Sequence, residues 1–254
     1  MAVLAAVMCC GVCVACYAGG TVSKEDMKKV TKDVSVGYFS KVEINGSADV
    51  KFVQGKKGSA RIVGAKRLAD NVEVSVKGET LVVTQKGNGS VFNSNLIING
   101  VDYGVTVYLA SPDLTDVTVR GSGEFSMDGS LDTDALNVSV TGSGDVKMRK
   151  VVCDKAVIYL KGSGDVDMKQ IEAGRTEITL RGSGDIDAGL NGVASTKAFL
   201  LGSGDIGLHF TDCDVADCEL RGSGDIELSG SLRSLRQKTS GSGDIDTKKL
   251  SVVK

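Results

Sequence analysis

Tryptophan is absent from this sequence, proline occurs once (Pro112) and histidine once (His209), and aromatic side chains make up only 4% of the 254 residues. A core with so few bulky rings must be assembled mainly from aliphatic and β-branched side chains, which suit thin stacked layers better than a thick globule. One proline beside 33 glycines excludes a proline-rich linker and points to regular turns. A single histidine excludes a histidine-built metal site. It also leaves a Ser-His-Asp or Cys-His centre one candidate base, which reads instead as a coil-surface residue beside Leu208. No block of like charge occurs, and 30 cationic against 32 anionic side chains give a net charge of −2. There is therefore no electrostatic footprint for nucleic acid or for an anionic membrane. A chain of this length is one elongated domain, or one domain with a cap.

Long apolar runs are also scarce. The one that stands out, Ala2 to Ala18, is uncharged and shorter than the roughly 20 residues a membrane-spanning helix needs. Residues 1–18 read as the apolar core of a secretion signal, although no Lys or Arg precedes the run and the first cation is Lys24. Cleavage after Ala18 would put Cys16 at the small −3 position. Lipidation at Cys16 is the competing reading, with Cys13 where a lipoprotein signal usually has leucine. Both readings place the protein outside the cytoplasm, in the periplasm or at the cell surface and outer membrane, with a lipid anchor in the second case. Four cysteines (Cys9, Cys10, Cys13, Cys16) lie in this segment. The remaining three (Cys153, Cys213, Cys218) are an odd set, which is not a disulfide framework and lacks zinc spacing. Cys153 and Cys213 fall in one column three coils apart, about 14 Å at the strand spacing, too far to bond. All three read as thiols filling a core.

What the sequence has in abundance is a repeat. Gly-Ser-Gly-acid begins at Gly121, Gly142, Gly162, Gly182, Gly202, Gly222 and Gly241, at intervals of 21, 20, 20, 20, 20 and 19 residues. The acid is Glu124 once, then Asp145, Asp165, Asp185, Asp205, Asp225 and Asp244. Apolar residues alternate after it: Phe125, Val146, Val166, Ile186, Ile206, Ile226 and Ile245, then two residues on Met127, Met148, Met168, Ala188, Leu208, Leu228 and, weakly, Thr247. A second alternating pair precedes each corner, as in Val138/Val140, Ile158/Leu160, Ile178/Leu180, Ala198/Leu200 and Cys218/Leu220. Period two means a strand with one buried face. Each coil therefore carries two short strands meeting at the Gly-Ser-Gly corner, with a less regular third apolar position near Val151, Ile171, Val193 and Leu232. One coil cannot bury such a face alone; stacked coils can, each strand pairing in parallel with its equivalent about 4.8 Å away. The predicted fold is all-β: a single-stranded parallel β-helix, a solenoid of about 20-residue coils. A leucine-rich solenoid would need its fixed Asn or Cys and a helical segment, and an antiparallel sandwich would not explain the register.

The predicted organisation is residues 1–18 as signal, 19–35 as a charged tether, 36–110 as irregular N-terminal β coils acting as a cap, and 111–254 as the regular β-helix. Val42–Ile44, Val50–Val53, Ala60–Val63, Val72–Val76, Leu81–Thr84 and Val105–Leu109 read as the strands of the cap, and Asn45 to Val50 as a decayed copy of the corner. Terminal coils of solenoids are atypical because they close an open end. Lys248, Lys249 and Lys254 would keep the other end soluble. The strand-rich block Val36 to Lys86, the run Val105 to Gly123 and the serial Gly-Ser-Gly-Asp corners together resemble the auto-transporter adhesin family with the head GIN domain, over about residues 36–246. The resemblance implies export, a β-helical fold, a cell-envelope location and adhesion. It brings no catalytic residues with it.

The acid row is the most conspicuous candidate site. Six aspartates in register stand about 4.8 Å apart, where neighbours repel by about 0.9 kcal/mol in water and about 3.5 kcal/mol at an effective dielectric near 20. The row must be wet, hydrogen-bonded, countered by cations or partly protonated. The favoured reading is a turn role, each carboxylate accepting backbone N–H bonds at its corner, with Arg120, Lys161, Arg181 and Arg221 forming a basic row alongside. The metal reading makes Asp145, Asp165, Asp185, Asp205, Asp225 and Asp244 calcium ligands, by analogy with nonapeptide β-rolls, but the period is wrong and cations compete. The corner is not a phosphate loop, since it lacks the Gly-Lys-Ser/Thr ending and opens a strand. Glycan-cleaving β-helices build their sites on long inserted loops, for which coils of this length leave no room, and five Tyr and six Phe supply few platforms for sugar. The sequence therefore reads as an exported non-enzymatic binding or spacer module with no required cofactor, its ligand a glycan or a protein. A self-associating structural protein and a glycan-active enzyme are the alternatives.

Overall fold

A computed structural model describes residues 25, 27–85, 97–98, 101–102 and 104–253; the signal segment with its four cysteines, and Lys254, lie outside the described residues. From Asp116 onward the chain winds as a parallel β-solenoid. Every strand pairs in parallel with the equivalent strand one coil away, as in Lys155↔Arg175 to Gly162↔Gly182 and Val146↔Val166 to Met148↔Met168. The corner sequence explains the stacking. Ser203 N–H donates to the Gly182 carbonyl at 2.9 Å, and Ser163, Ser183 and Ser223 repeat that bond at 2.9 Å with the first glycine of the coil before. The first glycine of each corner has positive φ, +144° at Gly202, and a Cβ there would lie 2.1 Å from the Gly182 oxygen. Only a residue without a side chain fits a backbone approaching its neighbour this closely.

Each coil has three strands, which refines the sequence reading. Along Asp145–Gly162 the inward residues are Val146 and Met148, then Val151 and Cys153, then Ala156, Ile158 and Leu160, all buried. The inward parity switches twice, so the strand bends twice between successive Gly-Ser-Gly corners. The irregular third position of the sequence is thus two columns. One runs Leu131, Val151, Ile171, Leu190, Phe210. The other runs through Cys153 and Ala173 and through Cys213 and Leu232, with Val193 bonded to Asp214 N–H at the same level. Single-residue slips at Met127/Ser130, Met168/Ile171 and Phe210/Cys213 had blurred them into one.

The N-terminal end does not follow chain order. Thr80–Gln85 and Val105–Ser111 form the outermost parallel coil, Lys41–Gly46 and Asp49–Gln54 the next, and Asp116–Gly121 with Glu124–Asp132 the one below. Gly46 has φ +117° and accepts Ser122 N–H at 2.9 Å, so Asn45 to Val50 does act as a corner. Three antiparallel strands close the end: Val72–Lys77 on Thr80–Gln85, Ser59–Ala65 on Val105–Ser111, and Lys29–Val34 on Ser59–Ala65. A short helix, Lys66–Ala69, adds Leu68 and Ala69 to the core. The expected tether is corrected here: within residues 19–35, Lys29–Val34 is a strand whose Val30 and Val34 pack on the core. Its alternate residues Lys29, Thr31 and Asp33 gave it the look of a charged linker, but an edge strand keeps one face in water. At the other end, Gln237 and Thr239 occupy the columns of Cys218 and Leu220 and are exposed. At this end of the described coils those inward positions are polar.

Candidate functional site

The solenoid presents two chemically distinct outer surfaces, one on each side of the Gly-Ser-Gly corner. On the first, the acid row stands in register, and each carboxylate reaches forward. Asp145 Oδ1 accepts Asp165 N–H at 3.0 Å, Asp165 accepts Asp185 N–H at 3.3 Å, Asp185 accepts Asp205 N–H at 3.2 Å, and Asp205 and Asp225 accept the next N–H at 2.8 Å. The acceptor role expected from the sequence exists, but it joins successive coils instead of closing the residue's own turn. Asp49 belongs to the ladder too, accepting Glu124 N–H at 3.3 Å. Glu124, one methylene longer, leaves it: Asp145 N–H turns to the Gly123 carbonyl at 3.1 Å, and the Glu124 carboxylate takes Lys147 Nζ at 2.6 Å. The basic row is also in register (Arg120, Thr141, Lys161, Arg181, Leu201, Arg221). Arg120 and Arg221 pair with Glu43 and Glu219 on the other surface, so they do not counter the aspartates. Among the described residues no group of three or more His, Cys, Asp or Glu side chains is disposed to hold a metal ion.

Two predictions arise from this surface. Asp185→Asn keeps the acceptor oxygen, so its melting temperature should stay near wild type; Asp185→Ala leaves the Asp205 N–H unpaired and should cost about 1 kcal/mol. Calcium should raise neither melting point. Equal damage from Asn and Ala, with a calcium-dependent rise of several degrees in wild type alone, would revive the metal reading. Asp187, next outward on the same strand, is exposed, yet its carboxyl is raised above its ordinary value, first by partial desolvation and then by the charges of Asp167 and Asp185. A carboxyl whose folded pKa is raised destabilises the fold when ionised, and that cost disappears as pH falls through the folded value. Asp187→Asn should therefore raise the melting temperature at pH 7, with the gain shrinking on acidification. A gain independent of pH would refute the assignment.

Among the described residues, His209 and the three cysteines Cys153, Cys213 and Cys218 stand apart from one another and from any hydrogen-bonded carboxylate. His209 Nδ1 lies 3.0 Å from Ser229 Oγ, which also donates to the Leu208 carbonyl at 3.4 Å. Among the described residues no carboxylate hydrogen-bonds the ring, so the pair lacks the third group that orients a base. Cys153, Cys213 and Cys218 are free and buried, and burial pushes Cys218 up to about 12, with the Asp217 charge adding to the shift. A thiol held neutral in a core is inert.

The second surface lies on the longest strand of each coil. Its middle outward column reads Ser139, Tyr159, Thr179, Phe199, Glu219. Beside it runs Val157, Glu177, Lys197, Asp217. Between the two columns is a shallow groove of about 400 Å³, walled by Glu177, Thr179, Lys197, Phe199, Asp217 and Glu219. The Arg221 guanidinium sits 5.6 Å from the Phe199 ring centre and donates to Glu219 at 2.6 Å, fixing one end of the wall. Sequence reasoning missed this groove because it weighed the number of aromatic residues, not their phase. Tyr159 and Phe199 are two full repeats apart, so they stand in one column.

Fold and surfaces define a class: a parallel β-solenoid of short coils, capped at its N-terminal end and presenting long outer surfaces. A family model described as "Putative auto-transporter adhesin, head GIN domain" matches residues 38–206 and 192–254, and the chain belongs to that family. The structure is similar to that of a putative adhesin from Bacteroides fragilis, with 26% identity, a TM-score of 0.76, and coverage of 88% of this chain and 97% of that one. Two proteins of Parabacteroides distasonis share the fold. One is a putative adhesin (20% identity, TM-score 0.68, covering 87% of this chain and 97% of that one). The other is a putative lipid binding protein (21%, 0.63, 85% and 95%). No match is found among curated proteins.

Proposed function

We propose that the protein is an exported, non-enzymatic module of the cell envelope that binds a ligand along its side and holds that surface away from the membrane. The observation that carries this reading is the uniformity of the coils. Ser-to-Gly bonds of 2.9–3.0 Å recur at every corner, and the register continues from Asp116 to Gly241 without an inserted loop. A solenoid of this kind offers length and flat surface rather than an enclosed centre. Membership of an adhesin family and the apolar residues 2–18 support the same conclusion. The polar Gln237 and Thr239 and the exposed Arg236, Lys238, Lys248 and Lys249 work against end-to-end stacking into a structural filament.

Cell fractionation with protease shaving of intact cells is the test. The protein should be found in the envelope, with an N-terminal peptide beginning at Gly19 if a signal peptidase removes the leader, or at a lipid-modified Cys16 if the protein is anchored. Cytoplasmic protein with an intact Met1 would overturn the proposal.

A further inference from the structure

We propose that the groove beside Phe199 is a binding site for a neutral glycan chain lying along the solenoid axis, one sugar ring per coil. The inference deepens the binding role proposed above and rests on it. Three features of the groove define the ligand. First, its charges are balanced within the protein. Lys155 pairs with Glu177 at 3.1 Å, Arg221 and Lys238 pair with Glu219 at 2.6 and 3.6 Å, and Lys197 stands next to Asp217 in register. A balanced wall has little net attraction for an ionic ligand, but it offers carboxylate oxygens as acceptors and ammonium and hydroxyl groups as donors. Sugar hydroxyls use both at once.

Second, the apolar elements of the column are periodic. Tyr159, one coil before the groove begins, and Phe199 within it stand two coils apart, about 9.6 Å at the strand spacing, with the small Thr179 between them. An extended β-linked chain of pyranose rings advances by nearly one strand spacing per ring and turns a like face in the same direction at every second ring. Rings two apart can therefore lie against Tyr159 and Phe199, while the ring between sits over Thr179. Aromatic faces suit the C–H face of a pyranose; the Arg221 guanidinium lies over one face of the Phe199 ring and holds it in place, so the sugar would take the other. Third, the groove is shallow and open to solvent, with a volume of about 400 Å³, so a ligand would lie across it rather than be enclosed. A chain can pass through without having to end there.

The test is affinity electrophoresis of the full chain in gels containing hydroxyethyl cellulose, xylan, galactomannan or polygalacturonate, followed by calorimetry with a hexasaccharide of the retarding polymer. At least one neutral β-linked polymer should retard the wild type. Phe199→Ala should weaken binding at least tenfold, Tyr159→Ala and Asp217→Ala severalfold, and all three should melt near wild type because they change only outward side chains. Tyr108→Ala, an exposed tyrosine on the first surface, is the control and should bind as wild type. Retardation by polygalacturonate alone, retention unaffected by Phe199→Ala, or no retardation by any neutral polymer would each overturn the inference. None of those outcomes touches the envelope location, which fractionation decides separately. A folded surface protein that ignores every polymer would therefore sink the glycan site alone.

Discussion

Gly202→Ala is expected to be among the most damaging single-methyl additions to this protein. The added Cβ meets the Gly182 carbonyl oxygen at 2.1 Å, and that oxygen already accepts Ser203 and Gly204 N–H at 2.9 and 3.1 Å. The corner must move away from its neighbour, weakening both bonds, while alanine also suffers the cost of φ +144°. Strained backbone costs about 1–3 kcal/mol and overpacking about the same, so a loss of about 2–6 kcal/mol is expected. Two other glycines calibrate it. Gly78 has φ +61° with nothing within 4 Å of its missing Cβ, so alanine there should cost about 1 kcal/mol. Gly129 has open space and no positive φ, so alanine should be neutral or stabilising by up to about 1 kcal/mol. Chemical denaturation of the three variants checks the order. A Gly202→Ala protein no less stable than Gly78→Ala would mean that the corners do not set the stacking distance.

Phe125→Ala should cost about 3–5 kcal/mol, the usual range for a buried phenylalanine. Phe125 is fully buried at the junction where the first regular coil meets the capping region, its ring stacked on Phe52 with centroids 6.2 Å apart and planes 27° from parallel. In a solenoid each coil holds only its neighbours, so damage should spread unevenly. Hydrogen exchange should show Asp49–Gln54 and the antiparallel strands losing protection well before the coils beyond Gly162. Uniform loss of protection along the whole chain, or a cost below about 1 kcal/mol, would show that the cap and the solenoid do not divide at this ring pair.

The regular coils were legible because their instructions are local and repeated. A buried face recurring every second residue marks a strand wherever it lies, and a corner returning every 19–21 residues gives the register directly. The inward columns from Phe125 to Ile245 are buried as that pattern requires. The third strand was less clear because one-residue slips, such as the one between Met168 and Ile171, move its apolar residues out of phase without disturbing the Gly-Ser-Gly spacing. Lys29–Val34 escaped notice for a related reason: a six-residue edge strand with a charged outer face looks like a linker until a partner is found for it.

What the sequence determined by itself, then, was the repeat, the corner chemistry, the strand faces and the columns, all of them consequences of residues near one another in the chain or separated by a fixed period. Tertiary structure alone decided three things that depend on what lies across a gap. It ordered the N-terminal coils out of chain sequence, placing Thr80–Gln85 outside Lys41–Gly46, because an open end is closed by whichever strands can cover it. It chose, among many oxygens and nitrogens at similar spacing, the partner of each charge: Asp185 takes the next coil's N–H and Arg120 takes Glu43. And it left a groove beside Phe199, because the space between two outward columns depends on how far each side chain leans, which no periodicity records.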